Sequence, residues 1–442
     1  MFKFKDVIPK ALFDFDNAIV DLEALYSYFT ETRDLINTKK SIFFNEKNIS
    51  YQLCTFLDEI YSLNSKEERE KYIEEIYNKE VHGTKVSDIM DISWIDGENT
   101  IKYSLKAGYQ KEEYDPSSAR RKRQSILNQE NIFARSILSN IVIVFEQYFS
   151  SQYETLVVSQ SKKYFEDRKV SVSQLFNDGL PQTLTNLINQ EVESNMFDSL
   201  KTLDRIKEKS QIDVDRYLPI KNEFEEVYYR RNAYIHTYGK ANKTYLEKVD
   251  KKYTKNLKDG QKLICDDLYL ENAIFTAYKI ISSLHFELLK SASAGQDDYN
   301  SLSEFGFDAL QKERYGVAEY IYGILRREHS FEYICKAIYE VNYINSLKLQ
   351  SKDVSKLIEK FDVSIATDDF KIAKECLLDN HENVYDMLCK TYPDSFNADM
   401  IKEWPLFIRF RDSEYYDRFI SEHKNDFEKY IHKQEFDELV EV

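Results

Sequence analysis

Glu226-Val227-Tyr228-Tyr229-Arg230-Arg231-Asn232-Ala233-Tyr234-Ile235-His236-Thr237-Tyr238-Gly239-Lys240 lies just past the midpoint of the chain and decides its fold. Upstream of it, Ile220 and Phe224 fall in step with Val227 at three- and four-residue intervals, the mark of one buried helical face. The segment predicts a helix that opens near Leu218-Pro219, where a first turn tolerates proline. It closes at Gly239, a residue suited to the left-handed conformation that ends helices. Arg231 and Ile235 continue the stripe. A guanidinium keeps its charge and is costly to bury alone, so an arginine in an apolar seam needs a reason.

The adjoining face supplies one. Asn232 and His236 are four residues apart and stack on one side, with Tyr229 a turn before. Arg231 and His236 are five apart, about 140° around the axis, within the swing of a long side chain near a helix end. A cation, an amide and an imidazole, the side chain that titrates nearest neutral pH, therefore share one short segment.

Outward from this helix the pattern stays helical. Ile132 to Val158 carries a wide apolar stripe through Ile137, Ile141, Val144, Phe145 and Tyr148. Glu146 borders that stripe, where it either pairs with Arg231 or faces solvent. A second helix is expected over Gln182–Ile206, and Asp266 or Asp267 caps a last one whose inner face includes Ile274, Tyr278, Ile281, His285 and Leu288. His285 reads as a core histidine. Between Gly108 and Asn128 a polar connection holds Arg120-Arg121-Lys122-Arg123, either a solvated linker or helix start, or a grip on a phosphate backbone.

Residues 1–118 read as a separate, mostly helical region, with helices over Ala11–Asn37, Tyr51–Leu63 and Glu67–Tyr77. Short strands are expected between Gly83 and Gly108, around a turn at Asp96-Gly97. Residues 119–292 form the central bundle. The stretch Lys290–Asn300 is a boundary, and residues 293–442 predict helix pairs of the tetratricopeptide-like kind, closed by Trp404-Pro405-Leu406-Phe407 and an acidic helix. With 10 glycines and 6 prolines in 442 residues, the expected fold class is mainly α.

Arg231-Asn232-Ala233-Tyr234-Ile235-His236 resembles the Arg-Asn-x-x-x-His signature of HEPN domains, helical bundles many of which are RNases. The likeness spans roughly residues 131–292. It implies that Arg231, Asn232 and His236 are catalytic, with Glu146 and Tyr234 in support. It implies an RNA substrate and a homodimer formed through the bundle. Arg230, Lys240, Arg120, Arg121 and Arg123 are the candidate RNA contacts. Thr237-Tyr238 extends the match to the Arg-x-x-x-x-His-x-Tyr pattern of HEPN toxins paired with nucleotidyltransferase antitoxins, in which the tyrosine can be AMP-modified. That makes Tyr238 a possible modification site and implies a toxin or effector in anti-phage defence. The N- or C-terminal helices would then hold an antitoxin or sense a trigger. A non-catalytic scaffold with the same bundle, binding RNA or protein, is the alternative.

Other chemistries fit less well. The formal net charge of −16 repels nucleic acid, so any RNA contact needs a local basic patch. No phosphate-binding or dinucleotide-binding glycine motif occurs. The seven histidines include no His-x-x-x-His pair and the five cysteines no Cys-x-x-Cys pair, so neither a metal nor a cofactor is expected, and the thiols suit a reducing compartment. No signal-peptide core or apolar run of membrane-spanning length is apparent, which predicts a soluble, cytoplasmic protein.

Overall fold

A computed structural model describes residues 8–45, 47–95, 100–160, 164–194, 200, 203, 206, 218–363, 367–424 and 426–427. Helix α1 (Ile8–Phe43) lines up Phe15, Ala18, Leu22 and Phe29 on its buried face. Helices α2 (Ile49–Ser62) and α3 (Lys66–Tyr77) are each opened by a side-chain cap, from Asn48 and from a Ser65–Glu68 capping box. Strands β1 (Glu80–Val81) and β2 (Thr84–Lys85) lead into the one-turn α4 (Val86–Ile89). Val86 and Ile89, expected on a strand, are buried together on that turn because a three-residue spacing matches a helix better than a pleat. Strands β3 (Met90–Ile95) and β4 (Thr100–Leu105) pair antiparallel, Ile92 opposite Tyr103. The turn expected at Asp96-Gly97 lies outside the described residues.

Helix α5 runs unbroken from Pro116 to Ser159, longer than its apolar stripe predicts. Asp115 caps it by accepting from the Ser117 and Ser118 amides, and Pro116 occupies the first turn. The Arg120–Arg123 run is therefore helical, not a linker. Helix α6 (Val172–Glu193) is broken at Gly179, whose φ of 71° and ψ of 162° are not helical. It starts earlier than the helix expected over Gln182–Ile206, most of whose far end lies outside the described residues. Helix α7 (Leu218–His236) carries the motif, followed by α8 (Lys243–Lys248), α9 (Lys251–Thr254) and α10 (Asp267–Ser291), the last capped by Asp266. Beyond it come α11 (Asn300–Gln311), α12 (Tyr315–Leu325), α13 (Tyr333–Leu349), α14 (Ser355–Lys360), α15 (Asp368–Leu377), α16 (His381–Thr391), α17 (Ala398–Glu403), α18 (Ile408–Arg411) and α19 (Glu414–Glu422). The fold is mainly α, with two small antiparallel strand pairs among the described residues.

Packing divides the chain differently from the boundaries expected at 118 and 292. The largest core runs from Ile8 to Tyr339 and joins α1, α5, α7, α10, α11 and α12. Helix α1 thus belongs to the bundle: Phe29 stacks on Phe133 of α5 at 5.9 Å, and Phe15 stacks on His285 of α10 at 4.2 Å. The separate N-terminal unit shrinks to α2–β4, with its own core from Leu53 to Ile101. The C-terminal core begins only inside α13, at Ala337, and ends at Phe427. Helix α13 serves both. By length and composition Pro116–Val158 is the one described helix that could cross a bilayer, but its Ile137, Leu138, Ile141, Phe145 and Phe149 are buried in the bundle.

Candidate functional site

Helix α7 packs between α5 and α10, with the Phe224 ring 4.0 Å from that of Phe145. Ile220, Phe224 and Val227 are buried as their spacing predicts, but the stripe leaves the core at the motif. Arg231 is only half-buried and Ile235 is 43% exposed, so the arginine sits at the rim of the bundle and not within its seam. There its Nη1 donates to Asn232 Oδ1 at 3.0 Å, and its Nη2 lies 3.5 Å from Glu146 Oε1. The guanidinium stands 5.1 Å from the Tyr228 ring, and its buried Nε has no hydrogen-bond partner among the described residues. A phosphate entering here must compete with Glu146 across a long ion pair, which is a low barrier to exchange.

His236 is the last residue of α7 and is exposed. Its imidazole makes no side-chain hydrogen bond among the described residues. The chain then reverses through two left-handed residues, Tyr238 (φ 54°) and Gly239 (φ 73°). A side chain at Gly239 would come within 3.1 Å of the Tyr234 ring, which is why glycine sits there. The Ala233 carbonyl accepts from both the Thr237 and Gly239 amides, and Thr237 Oγ1 bonds back to the Ala233 and Lys240 carbonyls. Tyr238 is left 90% exposed beside the histidine.

The motif helix is anchored by residues whose roles the sequence reading misplaced. Arg230, expected to touch RNA, is buried: its Nε donates to Glu226 Oε1 at 2.6 Å, its Nη1 to the Ile264 carbonyl, and its guanidinium stacks 4.1 Å over Tyr269. Tyr245 and Tyr269 donate to the two oxygens of Glu226 at 2.5 and 2.6 Å, so both buried charges are satisfied. Burial opposes the Arg230 charge, but Tyr269, Glu226 and Tyr245 outweigh it and raise its pKa. Burial pushes the adjacent Cys265 thiol up to about 11, despite Arg230. Tyr234, expected to support the catalytic residues, is a core residue that donates to the Leu263 carbonyl at 3.0 Å.

The basic run is also engaged. Arg120 and Arg123 clasp the two oxygens of Asp58 on α2 at 2.6 and 2.7 Å, Arg121 lies 3.8 Å from Asp115, and Lys122 pairs with Glu112 at 2.9 Å. These contacts fasten the α2 unit to α5 and neutralise what composition alone offers as a phosphate grip. Lys240 is exposed and bridges to Lys262 as a one-residue antiparallel pair. That places two exposed cations together just past the motif helix. Lys262 was not anticipated, because nothing local in sequence ties it to a residue 22 positions away. Among the described residues no group of three or more His, Cys, Asp or Glu side chains is arranged to hold a metal ion. No family model, curated protein or solved structure matches the chain.

Proposed function

We propose that the chain is a metal-independent endoribonuclease of the HEPN type, acting through Arg231, Asn232 and His236. The observation that carries this reading is the joining of Arg231 to Asn232 at the solvent rim of an anchored helix that ends in an exposed His236. RNA supplies its own nucleophile, the 2′-hydroxyl beside the scissile phosphate. His236 transfers a proton, either from that hydroxyl or to the leaving 5′-oxygen, a role worth about 10²–10⁴ in rate. The Arg231 fork faces the non-bridging oxygens and stabilises the phosphorane by roughly 3–4 kcal/mol, by analogy with an oxyanion donor. Asn232 orients the guanidinium through its side-chain oxygen. The products are a 2′,3′-cyclic phosphate and a 5′-hydroxyl, and DNA is inert.

The biological setting that fits is a toxin or effector of anti-phage defence, acting as a homodimer. Exposure of Tyr238 is what an AMP-transferring antitoxin would require. Phe13, Val20, Tyr28, Leu35 and Ile42 remain exposed along α1, a surface on which a controlling partner protein can rest. One observation favours a non-catalytic scaffold instead: Glu146 and Asn232 already occupy the Arg231 amines. Labelled RNA incubated with the protein in EDTA separates the two readings. Cleavage by the wild type and its loss in His236→Ala, at equal thermal stability, is expected; equal cleavage by both would remove the site assignment.

A further inference from the structure

A second site lies away from the motif, where α10, α12 and α13 meet. The cavity measures 610 Å³, within the range of small-molecule sites. Its walls carry four cations, Lys279, Arg314, Arg327 and Lys352, against two carboxylates, Glu313 and Glu319, in a chain whose net charge is strongly negative. Two of the cations are already used. Arg314 is bound to Glu23, with Nη2 3.1 Å from Oε2, and Lys352 lies 2.6 Å from Glu319. Lys279 and Arg327 have neither an ion pair nor a side-chain hydrogen bond among the described residues.

Lys279 is half-buried, and that burial holds its ammonium below the ordinary lysine pKa. Glu223 and Glu319 act on it from beyond ion-pair distance and offset that burial in part. A partly desolvated cation that no carboxylate touches gains more from an arriving anion than a surface lysine does. Arg327 is exposed at the rim and presents a fork that matches phosphate oxygens. The remaining wall is aromatic: Phe275, Tyr315, Tyr320 and Tyr343 are all half-buried. Phe275 is backed by Tyr26, with centroids 5.8 Å apart, and Tyr343 by the Arg326 guanidinium at 3.9 Å, so both rings are held in place. Gly316, in the first turn of α12, lines the cleft, and a Cβ there would meet nothing within 4 Å, so a larger side chain can be placed there without a clash.

We propose that this cleft binds a nucleotide, its phosphates on Lys279 and Arg327 and its base against the aromatic wall. A bare anion has no use for four rings, and an uncharged heterocycle has none for a half-buried lysine that forms no ion pair among the described residues. The cleft touches both α10 of the motif bundle and α13, the helix shared with the C-terminal core, so a bound nucleotide would bridge the two.

Calorimetric titration of the full-length His236→Ala protein tests this without cleavage, and its outcome is independent of the ribonuclease reading. The ligands are ATP, GTP, AMP, adenosine, inorganic phosphate and a hexa-adenylate RNA. A triphosphate is expected to bind with a micromolar Kd, with adenosine and phosphate at least about tenfold weaker. Added Arg327→Ala, on an exposed residue that leaves folding intact, and Gly316→Leu, which fills the mouth, should each weaken it about tenfold or more. Lys279→Met should do the same if it folds. No nucleotide binding at about 1 mM, unchanged affinity in Arg327→Ala and Gly316→Leu, or binding of the RNA alone overturns the proposal.

Discussion

Arg230 and Arg231 are neighbours in sequence but about 100° apart around α7, and that angle separates their tasks. Arg230 points into a closed polar network with Glu226, Tyr245 and Tyr269, whereas Arg231 reaches the rim beside Glu146. Arg230→Ala would leave the Glu226 carboxylate buried without its cation, so a loss of about 3–5 kcal/mol in urea unfolding is expected. Arg231→Ala should cost no more than about 1 kcal/mol yet abolish most cleavage, because its ion pair is partly solvated. Similar destabilisation by both changes would show that the motif arginine is a structural residue. The Arg230 role was readable in principle: Glu226 and Arg230 are four apart in the order that favours a helical ion pair. Their burial was not, because it is set by Tyr245 and Tyr269, residues of two later helices.

At the scale of elements, α5 and α10 each carry a testable consequence. At its start α5 places Ala119 and Ile126 against Phe43 and Cys54 in a small core of their own, two apolar positions seven residues apart and too thin a stripe for periodicity to reveal a helix. Its basic run is held by Asp58 on α2. Asp58→Asn should release Arg120 and Arg123, strengthen binding to a polyanion such as duplex RNA, and steepen the slope of log K against log salt by about two. An unchanged slope would mean that the two arginines are screened by something other than Asp58. On α10, His285 is fully buried against Phe15 with neither ring nitrogen hydrogen-bonded among the described residues, and burial lowers its pKa to about 3. The unfolded chain takes up this proton near pH 6.5 and the native chain does not. Stability from the neutral ring is therefore complete above pH 6.5 and falls by about 1.4 kcal/mol per pH unit from there towards pH 3. His285→Leu should flatten that acid limb, measured as the difference in urea midpoint between pH 7.5 and pH 5; an identical pH dependence would refute the assignment. Periodicity placed this histidine in the core, since the inner face of α10 is read from local spacing alone.

At the scale of the whole molecule, local spacing told less. Helix α1 packs across the bundle against residues more than a hundred positions away, and α13 divides its faces between two cores, so the boundaries drawn from polar connections at 118 and 292 cut through continuous packing. The same limit applies to partners, where the strongest expectation is a homodimer with its two α7 rims facing one another. In-line cleavage calls for an acid and a base on opposite sides of the phosphate, and each chain offers one His236. A two-fold interface doubles every group in the patch, giving two histidines and two arginines around one cleft. The rim has the apolar surface for such a contact: Ile235 is 43% exposed beside His236, and Ile143 is 45% exposed one turn before Glu146 on α5. Lys240 and Lys262 stand nearby as cations that would gather from both copies around an RNA strand, where the net charge of −16 otherwise repels it. Light scattering at micromolar concentration should therefore give twice the 52.5 kDa chain mass. Ile235→Glu, at an exposed position where folding is not at stake, should return the mass to that of one chain and remove cleavage with it. A protein that remains monomeric at these concentrations yet cleaves RNA at the full rate would show that one histidine suffices and that the composite site is wrong.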